Sequence, residues 1–285
     1  MTKLIDGKQV AENLKVQIAS SVKKLIALGI TPGIAVILVG DDPASQIYVR
    51  NKQRAAEKLG IDSEVITFPA TVSEEKILAK INGLNANPAI DAILVQSPLP
   101  DHIDEHHIQS AIAPEKDVDG FHAHNVGALF ANSEGYYPMA NTPRGIMTLL
   151  KEYVPDLTGK NALVIGRSIL VGRPMMAMLN NANATVTLAH RHTKNLAQLV
   201  ATADVIIVAV GKPHFLKMSA AKADAVVIDV GINRLEDGQL VGDVLDDMPD
   251  SEQLLTPVPG GVGPMTIATL MQTTIELAQQ HSIFE

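Results

Sequence analysis

Asn161-Ala162-Leu163-Val164-Ile165-Gly166-Arg167-Ser168-Ile169-Leu170-Val171-Gly172-Arg173-Pro174 is the stretch that decides the fold. Its first five residues form a short apolar run that reads as a buried strand. The run ends in a glycine-containing turn, and Pro174 suits the first turn of a helix, where its missing N–H costs nothing. Strand, glycine turn and helix in that order present backbone N–H groups to a pyrophosphate, as Rossmann-like dinucleotide sites do. The spacing is not the usual Gly-x-Gly-x-x-Gly, and a tight structural turn without a ligand is the other reading.

Working outward, Thr185 to Ala189 reads as the next strand and ends at His190-Arg191-His192-Thr193. A dinucleotide site specific for NAD would place an acid about 20 residues after its glycine turn, to bond the ribose hydroxyls. Here the tip is basic. Arg191, together with Arg167, suits an adenosine 2′-phosphate, which points to NADP; a solvated surface arginine is the alternative. Gly211 and Gly231 follow two further strands, Asp204 to Val210 and Ala225 to Val230. They stand at carboxyl ends, where open parallel sheets bind ligands, although glycine there also has a plain turn explanation.

The same alternation occupies the first half of the chain. Ile34 to Val39, Val65 to Phe68 and Ala92 to Val95 read as buried strands, with helices over Ala44 to Leu59 and Glu74 to Leu84. Asp42-Pro43 and Ser73-Glu74-Glu75 are their start signals, and Gly60 closes the first. Strand, helix, strand at this spacing implies a parallel sheet with right-handed crossovers. A helix from Thr142-Pro143 to about Val154 restarts the rhythm, and a last helix, Ile267 to His281, follows the glycine-rich loop Pro257 to Pro264. The expected organisation is therefore α/β in two domains. The first spans residues 1–140 and takes back the terminal helix, about 267–285. The second, residues 141–266, is Rossmann-like.

Composition sets the outer limits. The chain has 285 residues, 46% of them apolar and 19% charged, an ordinary globular balance long enough for a sizeable core. With no Trp and few other aromatics, that core must be aliphatic. The absence of Cys excludes disulfides, thiolate nucleophiles and Cys-ligated zinc, and fits a reducing compartment. A net charge of −8 argues against non-specific nucleic-acid binding. No apolar run at the N-terminus resembles a signal peptide, and none elsewhere approaches a membrane span, so a cytoplasmic location is expected.

Candidate chemistry lies in the first half. Tyr48 and Lys52 are four apart and share a helix face. Tyr-x-x-x-Lys is also the pair of short-chain dehydrogenases, but that family places its nucleotide turn before the pair, the reverse of the order here. A surface lysine beside a core tyrosine is the bland alternative. Gln96 sits at the carboxyl end of a strand, in Gln96-Ser97-Pro98-Leu99-Pro100, where two prolines fix the loop. Asp117 and Asp119, in Pro114-Glu115-Lys116-Asp117-Val118-Asp119-Gly120, make a poor magnesium pair without phosphates, and an Asp-Gly turn explains them equally. The histidines at 102, 106, 107, 122 and 124 lack the metalloprotease pattern, and Asp101 to Glu105 reads better as a helix start. No metal is expected.

Five segments together resemble the bifunctional methylenetetrahydrofolate dehydrogenase/cyclohydrolase family. They are Tyr48-Val49-Arg50-Asn51-Lys52, Gln96 to Pro100, Pro114 to Phe121, Gly166 to Pro174, and Pro257-Val258-Pro259-Gly260-Gly261-Val262-Gly263-Pro264-Met265-Thr266. The resemblance implies two α/β domains flanking a cleft, a folate-binding catalytic domain beside an NADP-binding one, and a homodimer associating through the nucleotide domain. It implies NADP-dependent oxidation of 5,10-methylenetetrahydrofolate to the methenyl cation and hydrolysis of that cation to 10-formyltetrahydrofolate. Lys52 would be catalytic with Gln96 as partner, Tyr48 would stack on the aminobenzoate ring, and Asp119 would bond the pterin. Pro259, Gly260 and Gly261 match substrate positions. Gly166, Arg167, Ser168, Gly211 and Ile232 match cofactor positions, with Arg191 at the adenosine phosphate. Asn141-Thr142-Pro143 departs from the Cys-Thr-Pro of many members, a loss expected not to affect chemistry carried by Lys52. A carbonyl reductase using Tyr48 as acid and a non-catalytic NADP sensor are the rival functions.

Overall fold

The computed structural model describes residues 3–248 and 252–283; Met1, Thr2, Phe284 and Glu285, at the outer bounds of the expected first domain, lie outside them. The contacts divide the chain into two compact units, one holding Asn13–Asn141 and the chain from Ile267 on, the other the chain up to Glu12 and Thr142–Thr266.

In the first of these, three parallel strands are ordered Asp62–Phe68, Gly33–Val39, Ala92–Val95. Every residue of Gly33–Val39 is buried, as expected of a central parallel strand covered on both faces. Asp62–Phe68 at the edge is partly exposed along its length. The helix Glu74–Asn85 buries Ile77, Ile81 and Leu84, spaced at i, i+4, i+7, against Ile37, Ile93 and Ile108. A single parallel bridge between Ile93 and Asp117 ties the 114–120 loop to the sheet.

Among the described residues, the other unit is built on six parallel strands in the order Lys3–Leu4, Leu254–Leu255, Val226–Asp229, Val205–Val208, Asn161–Ile165, Thr185–Ala189. From Asn161–Ile165 the chain goes first to one side and then to the other, so the switch in strand order falls between Asn161–Ile165 and Val205–Val208. Ligands bind at such a point in doubly wound sheets. No described helix is long and apolar enough to cross a membrane.

Two boundaries differ from expectation. Residues up to Glu12 group with the six-stranded unit because Lys3 and Leu4 pair with Leu254 and Leu255. A Cβ on Gly7 would also stand 1.9 Å from the Gly261 carbonyl oxygen. A two-residue strand is too short to carry a readable period. The last helix starts at Val262, not Ile267. Gly263 and Pro264 looked like loop, but both fall in the first turn, whose N–H groups have no intrahelical partner to lose.

Candidate active site

Asp42 accepts a hydrogen bond from the Ser45 amide at 2.7 Å and caps the helix Pro43–Leu59, with Pro43 in its first turn. Ser45, Val49 and Ala56 form its buried stripe. Lys52 completes that stripe at i, i+4, i+7, i+11, so the inward face of the helix carries an amine into the protein. Lys52 is half-buried, whereas Tyr48, one turn earlier, is 46% exposed. The bland alternative of a surface lysine beside a core tyrosine is thus inverted.

Gln96 extends the ladder of Ala92–Val95 by one residue, its amide donating to the Ile37 carbonyl at 2.9 Å. Its side-chain Nε2 donates to the Ser97 carbonyl at 2.7 Å, which turns Oε1 toward Lys52 Nζ, 2.9 Å away. The lysine is thereby held by a neutral acceptor. Burial pushes the Lys52 ammonium below the ordinary lysine value, with the Asp119 carboxylate opposing. Burial raises the Asp119 carboxyl, and the Lys52 charge and a hydrogen bond from Asn141 draw it back.

The two acids of the 114–120 loop divide their tasks. Asp117 is buried and accepts from the amides of Gly120 and His122 and from Asn125 Nδ2, at 3.1, 2.8 and 3.0 Å. It closes the turn, and burial pushes its pKa up to about 6. Asp119 stays half-buried beside Lys52. Three of the histidines serve the scaffold. His102 Nε2 lies 2.9 Å from the Val72 carbonyl, His107 Nδ1 pairs with Glu74, and His122 caps the helix Ala123–Ala131.

In the six-stranded unit, Gly166 stands at the switch point with φ +124°, and a Cβ there would lie 2.2 Å from the Ala209 carbonyl oxygen. A Cβ on Gly172 would lie 2.0 Å from the Gly166 carbonyl oxygen. Both glycines are therefore required by close backbone approach. The helix Gly172–Asn181 has no side-chain cap at its start, and Arg167 and Ser168 are exposed before it. Arg191 is exposed at the end of Thr185–Ala189, its Nε donating to His192 Nε2 at 3.1 Å. Thr193 Oγ1 accepts from the His190 amide at 2.8 Å and pins that turn.

A buried acid pair that sequence reading missed organises the remaining carboxyl-end loops. Asp243, fully buried, accepts from the amides of Val210, Gly211 and Lys212 and from Asn233 Nδ2, all within 2.7–2.9 Å. Asp229 accepts from the amides of Gly231, Asp243 and Val244, each at 2.9 Å, and burial pushes its pKa up to about 6. These bonds fix Gly211 and the segment carrying Ile232, which is 50% exposed and approaches Gly263. Gly261 donates to the Pro257 carbonyl at 2.8 Å, closing the loop that carries Pro259 and Gly260.

The catalytic-domain pattern of the tetrahydrofolate dehydrogenase/cyclohydrolase family matches residues 5–119, and its NAD(P)-binding-domain pattern matches residues 140–282. The chain belongs to this family. It is 58% identical to the bifunctional protein FolD of Lactiplantibacillus plantarum, over the whole of both chains. It resembles the crystal structure of the bifunctional enzyme FolD from Campylobacter jejuni with a TM-score of 0.95 and 46% identity, covering 98% of this chain and 99% of that one. It also resembles FolD of Trypanosoma brucei, solved with NADP cofactor and an inhibitor, with a TM-score of 0.94 and 34% identity, covering 100% and 99%.

Proposed function

We propose that this family member oxidises 5,10-methylenetetrahydrofolate with NADP and hydrolyses the resulting methenyl cation to 10-formyltetrahydrofolate. The observation that carries it is the half-buried Lys52 Nζ donating at 2.9 Å to the neutral Gln96 Oε1, beside the Asp119 carboxyl. The same reading makes the chain a cytoplasmic homodimer associating through its nucleotide unit.

NADP, when bound, supplies the hydride acceptor. The residues present fit it. Gly166 and Gly172 leave the space that a side chain would fill, at the start of the helix Gly172–Asn181, whose dipole favours an anionic pyrophosphate. Arg167, Ser168, Gly211, Ile232 and Arg191 complete the set. In the folate site, Tyr48 stacks on the aminobenzoate ring and Asp119 accepts from the pterin N–H groups. Lys52 in its amine form takes a proton from water as the oxygen bonds to the methenyl carbon. A second proton reaches N5 of the pterin as the carbon–N5 bond breaks, leaving the formyl group on N10. Gln96 aligns the amine without stabilising its ammonium as a carboxylate would.

Following NADPH formation and methenyl decay in a mixture of the purified chain, methylenetetrahydrofolate and NADP tests the proposal; no turnover overturns it. Cofactor preference is tested with Arg191→Ala. A hydrogen bond to a charged group contributes about 1.5–3 kcal/mol, so kcat/KM for NADP over NAD is expected to fall roughly ten- to hundredfold. Equal use of NAD and NADP by the unmodified chain removes Arg191 from this role.

A further inference from the structure

Asn141 stands at the first position of the helix Asn141–Tyr153 and is 5% exposed, an unusual place for an amide side chain without a partner. Both of its polar atoms are engaged. Nδ2 donates to the Val118 carbonyl at 2.9 Å and to Asp119 Oδ1 at 3.1 Å. Oδ1 lies 2.9 Å from the hydroxyl of Thr273, whose single proton it shares with the Thr269 carbonyl at 3.0 Å. Thr273 is fully buried on the helix Val262–Ile283. The orientation of the amide is set by chemistry. The Val118 carbonyl and the Asp119 carboxylate can only accept, so the NH₂ must face them and the oxygen must face the hydroxyl.

We propose that Asn141 is a positioning residue that clamps Asp119 Oδ1 and so aims the remaining carboxylate lone pairs at the substrate. The inference rests on the folate reading above. A carboxylate has two oxygens with about four acceptor sites. Here one oxygen is tied to a buried amide that is itself braced from a second helix. The carboxylate is then held at a fixed rotation, and its other oxygen is left for a pair of N–H donors on a pterin edge. Lys52 acts on the same carboxylate by charge, but an ammonium on a flexible stem does not set its rotation.

The test uses the full-length chain with Asn141→Ala, Asn141→Ser and Thr273→Val, measuring dehydrogenase kcat, the KM for methylenetetrahydrofolate and the Kd for NADP. Asn141→Ala is expected to raise the folate KM about ten- to hundredfold, the range for a hydrogen bond to a charged group. NADP Kd and saturated kcat are expected to stay within about threefold, with Asn141→Ser intermediate because its hydroxyl still donates. Thr273→Val, which keeps the amide but removes its brace, is expected to raise the folate KM by a smaller factor. Folate KM unchanged in Asn141→Ala overturns the role, as does an equal loss of NADP affinity. Should Asn141→Ala fail to fold, an unchanged folate KM in Thr273→Val overturns it. An unmodified chain that forms no NADPH from methylenetetrahydrofolate instead overturns the functional reading itself, so the two failures are distinct.

Discussion

Lys52→Met is expected to slow hydrolysis of methenyltetrahydrofolate by about 10²–10⁴-fold, the range for a positioned acid–base group, and to slow the oxidation less. Hydride transfer needs no base, whereas addition of water must discharge a proton. Methionine keeps the length of the side chain in the stripe formed with Ser45, Val49 and Ala56, which limits packing artefacts. The pH dependence has a definite sign. Only the unprotonated amine has a lone pair, so the enzymatic hydrolysis rate rises with pH through the Lys52 pKa. Burial sets that rise below the pH at which an exposed lysine deprotonates. The variant loses this step. Methenyl decay, corrected for the uncatalysed rate, and NADPH formation are followed separately across pH. Hydrolysis near the unmodified rate removes Lys52 from the mechanism.

Asp243→Ala is expected to cost the nucleotide unit about 3–5 kcal/mol. Four donors lose their acceptor at once, and an unmet buried donor costs about 1–3 kcal/mol, less where water can reach it. The loops carrying Gly211 and Ile232 lose their common anchor, so NADP affinity falls with stability. Thermal melting with and without NADP measures both, because a ligand that binds only the folded form raises the transition of the unit it occupies. A transition within about a degree of the unmodified chain, with NADP protection intact, would falsify the bracing role.

The central strands Gly33–Val39, Asn161–Ile165 and Val205–Val208 were legible because parallel strands covered on both faces read as uninterrupted apolar runs, whereas the two-residue pair Lys3–Leu4 and Leu254–Leu255 was not. Asp42-Pro43 and Gly60 marked a helix through local chemistry alone. The Tyr48–Lys52 pair was visible from spacing, but its orientation was not. The stripe that Lys52 joins contains a serine and a lysine, so its period is hidden from hydropathy. Asp229 ending an apolar strand and Asp243 within Gly242-Asp243-Val244 were each visible, yet their shared role depends on a 14-residue return of the chain. Asn141 was read only as a departure without effect on the chemistry, because its contacts lie in Asp119 and Thr273, 22 and 132 residues away. What escaped was polar and non-local; what was read was apolar or adjacent.

The pairing of Lys3 with Leu254 and Leu4 with Leu255 also constrains how the protein is made. The first strand of the chain is an edge strand whose partner is translated about 250 residues later, which at ~5–20 residues per second is a delay of roughly 12–50 s. The Asn13–Asn141 unit waits in the same way for the chain beyond Ile267. Neither half of the chain can therefore complete its fold on the ribosome in the order it is synthesised. Central strands can pair early, but the Val226–Asp229 edge stays open until Leu254–Leu255 has been made, and an open parallel edge is a site for mispairing. Ribosome-stalled chains ending before Leu254 are expected to be protease-sensitive at their first residues while Asn161–Ile165 is already protected.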